Sequence, residues 1–332
     1  MKLSSKKLDI YLKEQDFSGV VSVTESTEIL FQQAFGYRDI PNKTPNQVDT
    51  KFGIASGTKL FTALGIGALI GQGEFSLDTK VSEIDASFCS FIDPNATILN
   101  LLTHTSGIFD YYDEEIIEDF DNFYLDIPWY KLHTPSDYLP LFTDQKMKFA
   151  PNARFSYSNG GFVFLGILIE LIAQMPYRDF IYDEVLKPAK MFNSGFFASN
   201  DLPANTANGY QKDSQRTNIF NLPIRGAGDG GMYTTALDMQ AFWSSYMSFD
   251  ILKKELTEKF LETHHRFDEV VGYGCGIYKY LDNSCYLIIG SDAGVGFTSH
   301  HYPASSLTIT VLANRTDGEI GIRQKIQDLL KS

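Results

Sequence analysis

The sequence is poor in cysteine, in basic residues and in long apolar runs. Its 332 residues include 3 cysteines, and 41 acidic residues outnumber 28 basic ones, which gives a formal net charge of −13. A surface this acidic repels phosphate backbones, so nucleic acid is excluded as an expected partner. No apolar run reaches the roughly 18 residues that a transmembrane helix needs, so no membrane span is expected.

The three cysteines do not form a disulfide framework, because their number is small and odd. Cys275 and Cys285 could pair across two strands, but buried free thiols are the favoured interpretation. The sequence also gives little support for a metal site. No CxxC motif occurs, and two histidines that are adjacent in one helix or strand rarely bind the same metal ion. The pairs His264–His265 and His300–His301 are therefore interpreted as surface or loop histidines, and no metal site is predicted.

The N-terminal segment contains lysines, but no apolar stretch follows them, so it lacks the pattern of a signal peptide. Read literally, the sequence predicts a cytoplasmic protein. An exported protein whose leader had been removed would have the same sequence.

What is present is an ordinary globular composition, with 43% hydrophobic and 21% charged residues. The stretch GVVSVTESTEILFQQAFGYRD predicts a β-hairpin that turns at Glu25 to Thr27. The last third of the chain predicts four more short strands, and Ile322, Ile326 and Leu329 have the spacing of a terminal helix. The middle of the chain predicts helices with long aromatic loops.

These patterns predict an α/β (α+β) fold with one antiparallel sheet, built from both chain ends and flanked by terminal helices. An all-α insertion lobe completes the fold. The predicted sheet lobe comprises residues 1–64 and 226–332, and the helical lobe comprises residues 65–225. Together they are expected to form one continuous unit with a cleft between the lobes.

The stretch FGIASGTKLF places Ser56 and Lys59 three residues apart, where they share one face of a helix. A serine at a helix N-terminus lies at the positive end of the helix dipole. A partly desolvated lysine beside it has a lowered pKa and can accept the serine proton. The motif alone is weak, since Ser4 and Lys7 repeat it in a solvated segment. A snorkelling Lys59 with an exposed tip is the alternative.

A second pattern, RFSYSNGGF, places Tyr157 and Asn159 in a turn before an apolar helix. A phenol near an ammonium group can titrate low enough to relay a proton. The alternative is that Asn159 is simply the N-cap of the helix.

The segments ASGTKLFTAL, LLTHTSGI and YSNGGFVFLG occur in an order and spacing that resemble the serine β-lactamase and penicillin-binding protein superfamily. The chain is most similar to its class C branch, which includes D-alanyl-D-alanine carboxypeptidases, D-aminopeptidases and esterases. The resemblance implies a β-lactamase-like fold. It also implies a serine acyl-transfer hydrolase that needs no metal and no organic cofactor and acts on a small amide, ester or peptide.

Residue roles follow from the same resemblance. Ser56 would be the acylated nucleophile, Lys59 its base partner, and Tyr157 a general base or acid. Asn159 would bind the substrate amide and help to orient Lys59. His104, in the loop THTSG, would be structural.

The third motif of this superfamily is usually Lys-Thr-Gly or His-x-Gly on a strand beside the cleft, and IIGSDAGVGF corresponds to it here. Ser291 replaces the cation and Ala293 the glycine, so binding of a substrate carboxylate is expected to be weak. Alternation along the strand places Asp292 on the face opposite Ser291. The N–H groups of Gly294 and Ser56 are expected to form the oxyanion hole, and Ser291 and Gly294 are the substrate-binding candidates on this strand.

The stretch IFDYYDEE follows the THTSG loop. Tyr111 or Tyr112 is expected either to line the cleft or to pack in the core. Asp113 to Glu115 are interpreted as a solvated helix start.

Two other functions stay open at this point. One is a penicillin-binding sensor that is acylated without turnover, and the other is a catalytically degenerate relative. The intact set of Ser56, Lys59, Tyr157 and Asn159 argues against full degeneration.

Overall fold

The computed structural model of the chain describes residues 3–117, 119, 121–212 and 214–331. Within these ranges the α-helices are α1 (Ser5–Glu14), α2 (Thr58–Gln72), α3 (Val81–Ile84), α4 (Ile98–Leu102), α5 (Leu139–Phe142), α6 (Asn159–Ala173), α7 (Tyr177–Ile181), α8 (Ala236–Met247), α9 (Lys254–Phe260) and α10 (Ile322–Lys331). The strands are β1 (Gly19–Glu25), β2 (Glu28–Phe35), β3 (Tyr37–Asp39), β4 (Thr44–Pro45), β5 (Phe52–Gly53), β6 (Tyr233–Thr234), β7 (His265–Arg266), β8 (Val271–Tyr273), β9 (Tyr278–Tyr280), β10 (Tyr286–Asp292), β11 (Val295–Tyr302) and β12 (Leu307–Ala313).

The main sheet joins the two ends of the chain. Its strand order is β2-β1-β12-β11-β10-β9-β8-β7, and the strand pairs are antiparallel. The N-terminal strand β1 pairs with the C-terminal strand β12 over its whole length, from Gly19 opposite Ala313 to Glu25 opposite Leu307. The predicted hairpin of β1 and β2 and the predicted antiparallel sheet are both confirmed.

The sheet is covered on both faces. Because successive side chains of a strand point to opposite faces, Val21 and Val23 pack with α1 and α10, whereas Val20 packs into the larger core on the other face. The predicted terminal helix is confirmed by α10, and the three apolar residues that predicted it are buried against α1 and the sheet: Ile322, Ile326 and Leu329.

The helical part packs around two apolar helices, α2 and α6. A side chain at Gly65 of α2 would collide with Ile181 of α7 and crowd Ile169 of α6, so glycine permits the close approach of α2 to both helices. The predicted lobe boundary at residues 64 and 65 falls within α2, which is continuous from Thr58 to Gln72. The division into two lobes stays a prediction.

Three expectations are settled by burial and local structure. The prediction that His300 and His301 are surface or loop residues is wrong: they lie on β11 and are 3% and 6% exposed, because both faces of the sheet are covered. Cys275 and Cys285 are buried and free, as expected. No helix begins at residues 113–115, because Glu114 and Glu115 lie in a turn that Asp113 precedes.

Among the described residues, no single helix is long and apolar enough to cross a membrane. Taken together, the helix α6 and the segment Tyr177–Leu186 are long and apolar enough for a membrane span, but the chain bends by 86° between them.

Candidate active site

Ser56 lies in a short 3-10 helix, Ala55–Gly57, that leads directly into α2. Ala55 has a φ of 44°, in the left-handed region that residues with a side chain seldom adopt. The turn is held by Thr58, whose Oγ1 donates to Ala55 O at 2.7 Å and accepts the N–H of Met232 at 3.0 Å. The sequence before α2 therefore presents Ser56 at a helix N-terminus, as predicted.

Strand β10 passes close behind this turn. A Cβ atom added at Gly290 would lie 2.0 Å from Ile54 O and 2.7 Å from Gly57 N, so only glycine allows the two backbones to approach. This contact brings the third-motif segment next to Ser56.

Lys59 is 2% exposed, which excludes the snorkelling alternative. Its Nζ lies 3.0 Å from Ser56 Oγ, 2.7 Å from Asn159 Oδ1 and 2.8 Å from the backbone oxygen of Asp229. Burial is the main reason why the pKa of Lys59 is lowered, although nearby carboxylates, Asp229 foremost, act in the opposite direction. The side chain is thus fixed beside the serine.

The start of α6 positions Asn159. The N-cap of the helix is Ser158, whose Oγ accepts the N–H of Gly161 at 2.9 Å, so the interpretation of Asn159 as N-cap is wrong. The Asp110 carboxylate accepts the N–H groups of Asn159 and Gly160, each at 2.8 Å. Burial, opposed by these N–H groups, raises the pKa of Asp110 to about 7. All three N–H groups of the first turn are therefore satisfied.

Asn159 does orient Lys59, but its amide nitrogen is already engaged. Its Nδ2 donates to Tyr112 O at 2.7 Å and to Glu114 Oε1 at 3.2 Å. An amide nitrogen has only two N–H donors, so a substrate would have to displace one of these partners. The geometry thus favours the positioning role over the substrate-binding role expected for Asn159.

Tyr157 lies beside both proposed catalytic groups. The Tyr157 ring centroid is 4.8 Å from Lys59 Nζ, and the Ser56 side chain lies close enough to the Tyr157 hydroxyl to act on its pKa. The expectation that a neighbouring ammonium lowers the pKa of Tyr157 is wrong. Burial raises this pKa well above its ordinary value, Glu114 adds to the rise, and the nearby Ser56 side chain only opposes it. Tyr157 is therefore a neutral phenol, which can donate a proton.

His104 supports this arrangement from behind. Its Nδ1 accepts the N–H of Ser158 at 3.0 Å, so its Nε2 bears the proton and faces the Tyr273 hydroxyl at 3.0 Å. Burial first, and then Lys59, hold the pKa of His104 well below its ordinary value. A neutral, doubly bonded imidazole agrees with the structural role expected from the resemblance.

A cavity opens beside Ser56. Tyr111 and Tyr112 both line it, and each hydroxyl donates across the cavity to a carboxylate: Tyr111 to Asp229 at 2.5 Å, and Tyr112 to Asp292 at 3.0 Å. Both tyrosines also belong to the core, so the two alternatives for them hold together. In the described ranges, no group of three or more His, Cys, Asp or Glu side chains is arranged to hold a metal ion.

The third-motif segment differs from the expectation in two ways. Ser291 and Asp292 both line the cavity, so the prediction that Asp292 faces away is wrong. Asp292 ends β10 beside the two-residue turn to β11, where regular alternation stops. The Gly294 N–H donates to Thr316 Oγ1 at 2.8 Å, so it is not available for the oxyanion hole.

Several residues of the site were missed in the sequence. Asp229 lies in the glycine-rich stretch GAGDGGMYTT, and Glu114 in a run of acidic residues. Glu114 is held in place by its neighbours: Asp113 pairs with Lys148 at 2.6 Å, and Glu115 pairs with Arg154 at 2.6 Å. An acidic residue between glycines before a helix is a signal that could have pointed to Asp229.

Comparison with known proteins agrees with this geometry. The family model described as beta-lactamase matches residues 6–330, nearly the whole chain. The chain belongs to the beta-lactamase family. The predicted superfamily and the β-lactamase-like fold are thereby confirmed.

The chain is 28% identical to penicillin-binding protein 4* of Bacillus subtilis (strain 168) over 281 residues, which are 80% of this chain and 60% of that protein. The chain thus spans about three fifths of the length of the curated family members that it matches. A crystal structure of a penicillin binding protein from Bacillus halodurans is 38% identical, with a TM-score of 0.92 over 97% of this chain and 99% of that one.

A more distant likeness shows the fold alone. The D-amino acid amidase from Ochrobactrum anthropi SV3, in a crystal structure of its complex with D-phenylalanine, is 20% identical. Its TM-score is 0.79, over 98% of this chain and 96% of that chain.

Proposed function

We propose that the chain is a serine acyl-transfer hydrolase that cleaves a small amide, ester or peptide, with Ser56 as nucleophile and Lys59 as its base. The supporting observation is the buried Lys59 Nζ, 3.0 Å from Ser56 Oγ and bonded to two neutral acceptors. A neutral amine has two N–H donors and one lone pair. Asn159 Oδ1 and Asp229 O accept the two donors, so the lone pair is left for the serine proton.

The reaction follows from these positions. Ser56 Oγ attacks the substrate carbonyl carbon, and its proton passes to Lys59 Nζ. When the bond to the leaving group breaks, the leaving group takes the proton of the Tyr157 hydroxyl, which is replaced from Lys59. Water then attacks the Ser56 ester, and the proton that water loses restores Ser56 as the acid is released.

The oxyanion of each tetrahedral intermediate needs two N–H donors. Ser56, at the start of α2, supplies one. In a two-residue hairpin the closing pair exchanges both backbone bonds, and here that pair is Asp292 and Val295. The preceding residue, Ser291, therefore directs its N–H away from β11, and β10 packs there against the Ser56 turn. Ser291 N–H takes the role first expected for Gly294.

The cavity disfavours a substrate carboxylate. Among the described residues that line it, none is lysine, arginine or histidine, whereas Glu114, Asp229 and Asp292 are present. A lost charge-assisted bond to a carboxylate costs about ten- to a hundredfold in affinity. We therefore expect neutral esters or amides to be better substrates than penicillins.

The test is acylation. A fluorophosphonate should add once per chain, at the peptide that contains Ser56, and p-nitrophenyl esters should be turned over continuously. Labelling that survives Ser56→Ala would contradict the proposal. A stoichiometric burst without turnover would instead select the sensor function. Efficient cleavage of penicillin with neutral esters untouched would overturn the expected substrate class.

A further inference from the structure

A second groove adjoins the Ser56 cavity, and the side chain of Phe197 lines both. Three cationic side chains line this second groove: Lys51, Arg178 and Arg225. They come from three segments that are far apart in the sequence, and the chain as a whole has a net charge of −13. The fold therefore concentrates positive charge at one place in an acidic protein.

These cations are not neutralised by acids of the protein. No ion pair joins any of them to a carboxylate among the residues that the structure describes. Asp179 also lines the groove, but it is exposed and forms no ion pair with them. Lys51 Nζ donates to Ala204 O at 3.4 Å, and Arg178 Nη1 donates to His133 O. Both acceptors are neutral, so the positive charge of the groove remains.

Arg225 is the least satisfied of the three cations. Within the described ranges its guanidinium has no hydrogen-bond partner, although the side chain is half-buried and its Nε atom is fully buried. A guanidinium has five N–H donors, and buried polar groups are nearly always bonded in native proteins. The acceptor that Arg225 lacks is therefore expected to come from a bound ligand.

Arg178 and Arg225 are also close enough to repel each other. Burial is the main reason why the pKa of Arg178 is lowered, and the charge of Arg225 is the next. Asp179 and Glu170 act in the opposite direction, each by less than Arg225. Two like charges held together destabilise a folded protein, and an anion that binds both would replace their repulsion with attraction.

The backbone holds this arrangement in place before any ligand binds. Ile224, next to Arg225, donates its N–H to Trp129 O at 3.1 Å and accepts the N–H of Ser199 at 2.8 Å. Lys51 is bonded through its N–H and its carbonyl in the same way. A site whose backbone is already ordered loses little conformational entropy on binding.

Aromatic side chains flank the cations. Phe192 and Tyr182 both line the groove, and they are 65% and 41% exposed. A single exposed ring is ordinary on a protein surface, but these two rings border a cluster of unpaired cations. Their position favours an organic anion with an apolar part over a small inorganic ion.

We propose that this groove binds the carboxylate or phosphate group of a small organic molecule. Arg178, Arg225 and Lys51 hold the anion, since the planar guanidinium fork matches both kinds of group. The apolar part of the ligand packs against Phe192 and Tyr182. This site is separate from the cavity of the proposed nucleophile, so it goes beyond the proposed hydrolysis and does not depend on it.

The experiment measures binding by isothermal titration calorimetry at pH 7 and constant ionic strength. The probes are phenyl phosphate, phenylacetate and the neutral benzyl alcohol. At least one of the two anions should bind saturably, once per chain, and more tightly than benzyl alcohol, and the tighter anion identifies the group that the site takes. Arg225→Met and Arg178→Met should each weaken this binding by about tenfold or more. Phe192→Ala should weaken it severalfold, because the ring of the probe loses its apolar contact.

Arg266→Met is the matched control, because it removes one positive charge from an exposed position on β7 and should leave the affinity unchanged. Thermal unfolding of each variant without a probe shows whether it is folded. Arg225→Lys keeps the charge without the planar fork, so its affinity should lie between those of the unaltered protein and Arg225→Met. Equal losses in Arg225→Met and Arg266→Met, or no saturable binding of either anion to the unaltered protein, would overturn the proposal. Binding of benzyl alcohol as tight as that of both anions would do the same.

Discussion

At the scale of single residues, the site depends on what surrounds Lys59 rather than on Lys59 alone. Three oxygens hold Nζ, and burial lowers its pKa from the ordinary value of 10.5. The same burial acts in the opposite direction on the phenol of Tyr157, whose pKa rises. Burial therefore prepares one group to accept a proton and the other to donate one.

Lys59→Met should reduce the rate of acylation by about a thousandfold or more, because general-base catalysis contributes roughly 10²–10⁴-fold. The measurement is the rate of fluorophosphonate labelling by intact mass. In the unaltered protein kcat/KM should fall as pH falls through the pKa of Lys59, since protonation removes the lone pair, and the lowered pKa places this limb below pH 10.5.

Lys279→Met is the control for the loss of a buried lysine. Lys279 is 4% exposed, bonds to Leu261 O, and is not among the residues that line the cavity. Equal losses of labelling in both variants would show that Lys59 acts through folding and not as the base.

At the scale of elements, two segments bring the site together. The start of α6 brings Asn159 to Lys59, and the end of β10 brings Ser291 and Asp292 to the cavity. The two segments are linked across the cavity by Tyr112, whose carbonyl accepts from Asn159 and whose hydroxyl donates to Asp292. Small shifts of either element would therefore change the site.

Asp110→Ala should destabilise the protein by about 1–3 kcal/mol, because it leaves the buried N–H groups of Asn159 and Gly160 without an acceptor. Acylation of Ser56 should slow as well, since Asn159 orients Lys59. Urea unfolding and labelling rates measure the two effects. Asp85→Ala is the control, because Asp85 caps an exposed turn through Ser87 N and should cost less. Unchanged unfolding in Asp110→Ala would contradict the capping role.

At the scale of the whole molecule, stability and chemistry lie on opposite faces of the sheet. One face packs with α1 and α10 in a core of its own, and the other face packs with the helices around Ser56. The chain ends meet in that first core, since β1 pairs with β12 along its length. Changes there should affect folding and leave the geometry of the site intact.

Ile326→Ala should lower the free energy of unfolding by about 2–5 kcal/mol, because Ile326 is 0% exposed in the core between α10 and the sheet. The folded fraction should still be labelled at Ser56 at the original rate. Ile320→Ala, at a residue that is 67% exposed, should change the stability by about 0.5 kcal/mol or less. A slower labelling rate in folded Ile326→Ala would show that the two faces are coupled.

Local order along the chain was enough to predict much of this molecule. Periodicities of two to four residues, which are visible in the sequence itself, predict the strands at both ends of the chain and the α10 helix. The same local spacing predicts that Ser56 and Lys59 are neighbours. The order of three short motifs was enough for the family. None of these inferences requires knowing which distant segments meet.

Only the tertiary structure shows which charged side chains share the cavity and which backbone N–H groups are already bonded. Asp229 lies 170 residues from Lys59, and Asp292 lies 180 residues from Tyr112, so no local pattern predicts that they share a cavity. The Gly294 N–H is occupied by Thr316, which belongs to another loop. The direction of a pKa shift depends on burial and on neighbours summed over the folded chain. Sequence spacing therefore indicated the proposed nucleophile and its proposed base, whereas the acidity of the cavity, on which the proposed choice of substrate depends, emerges only from packing.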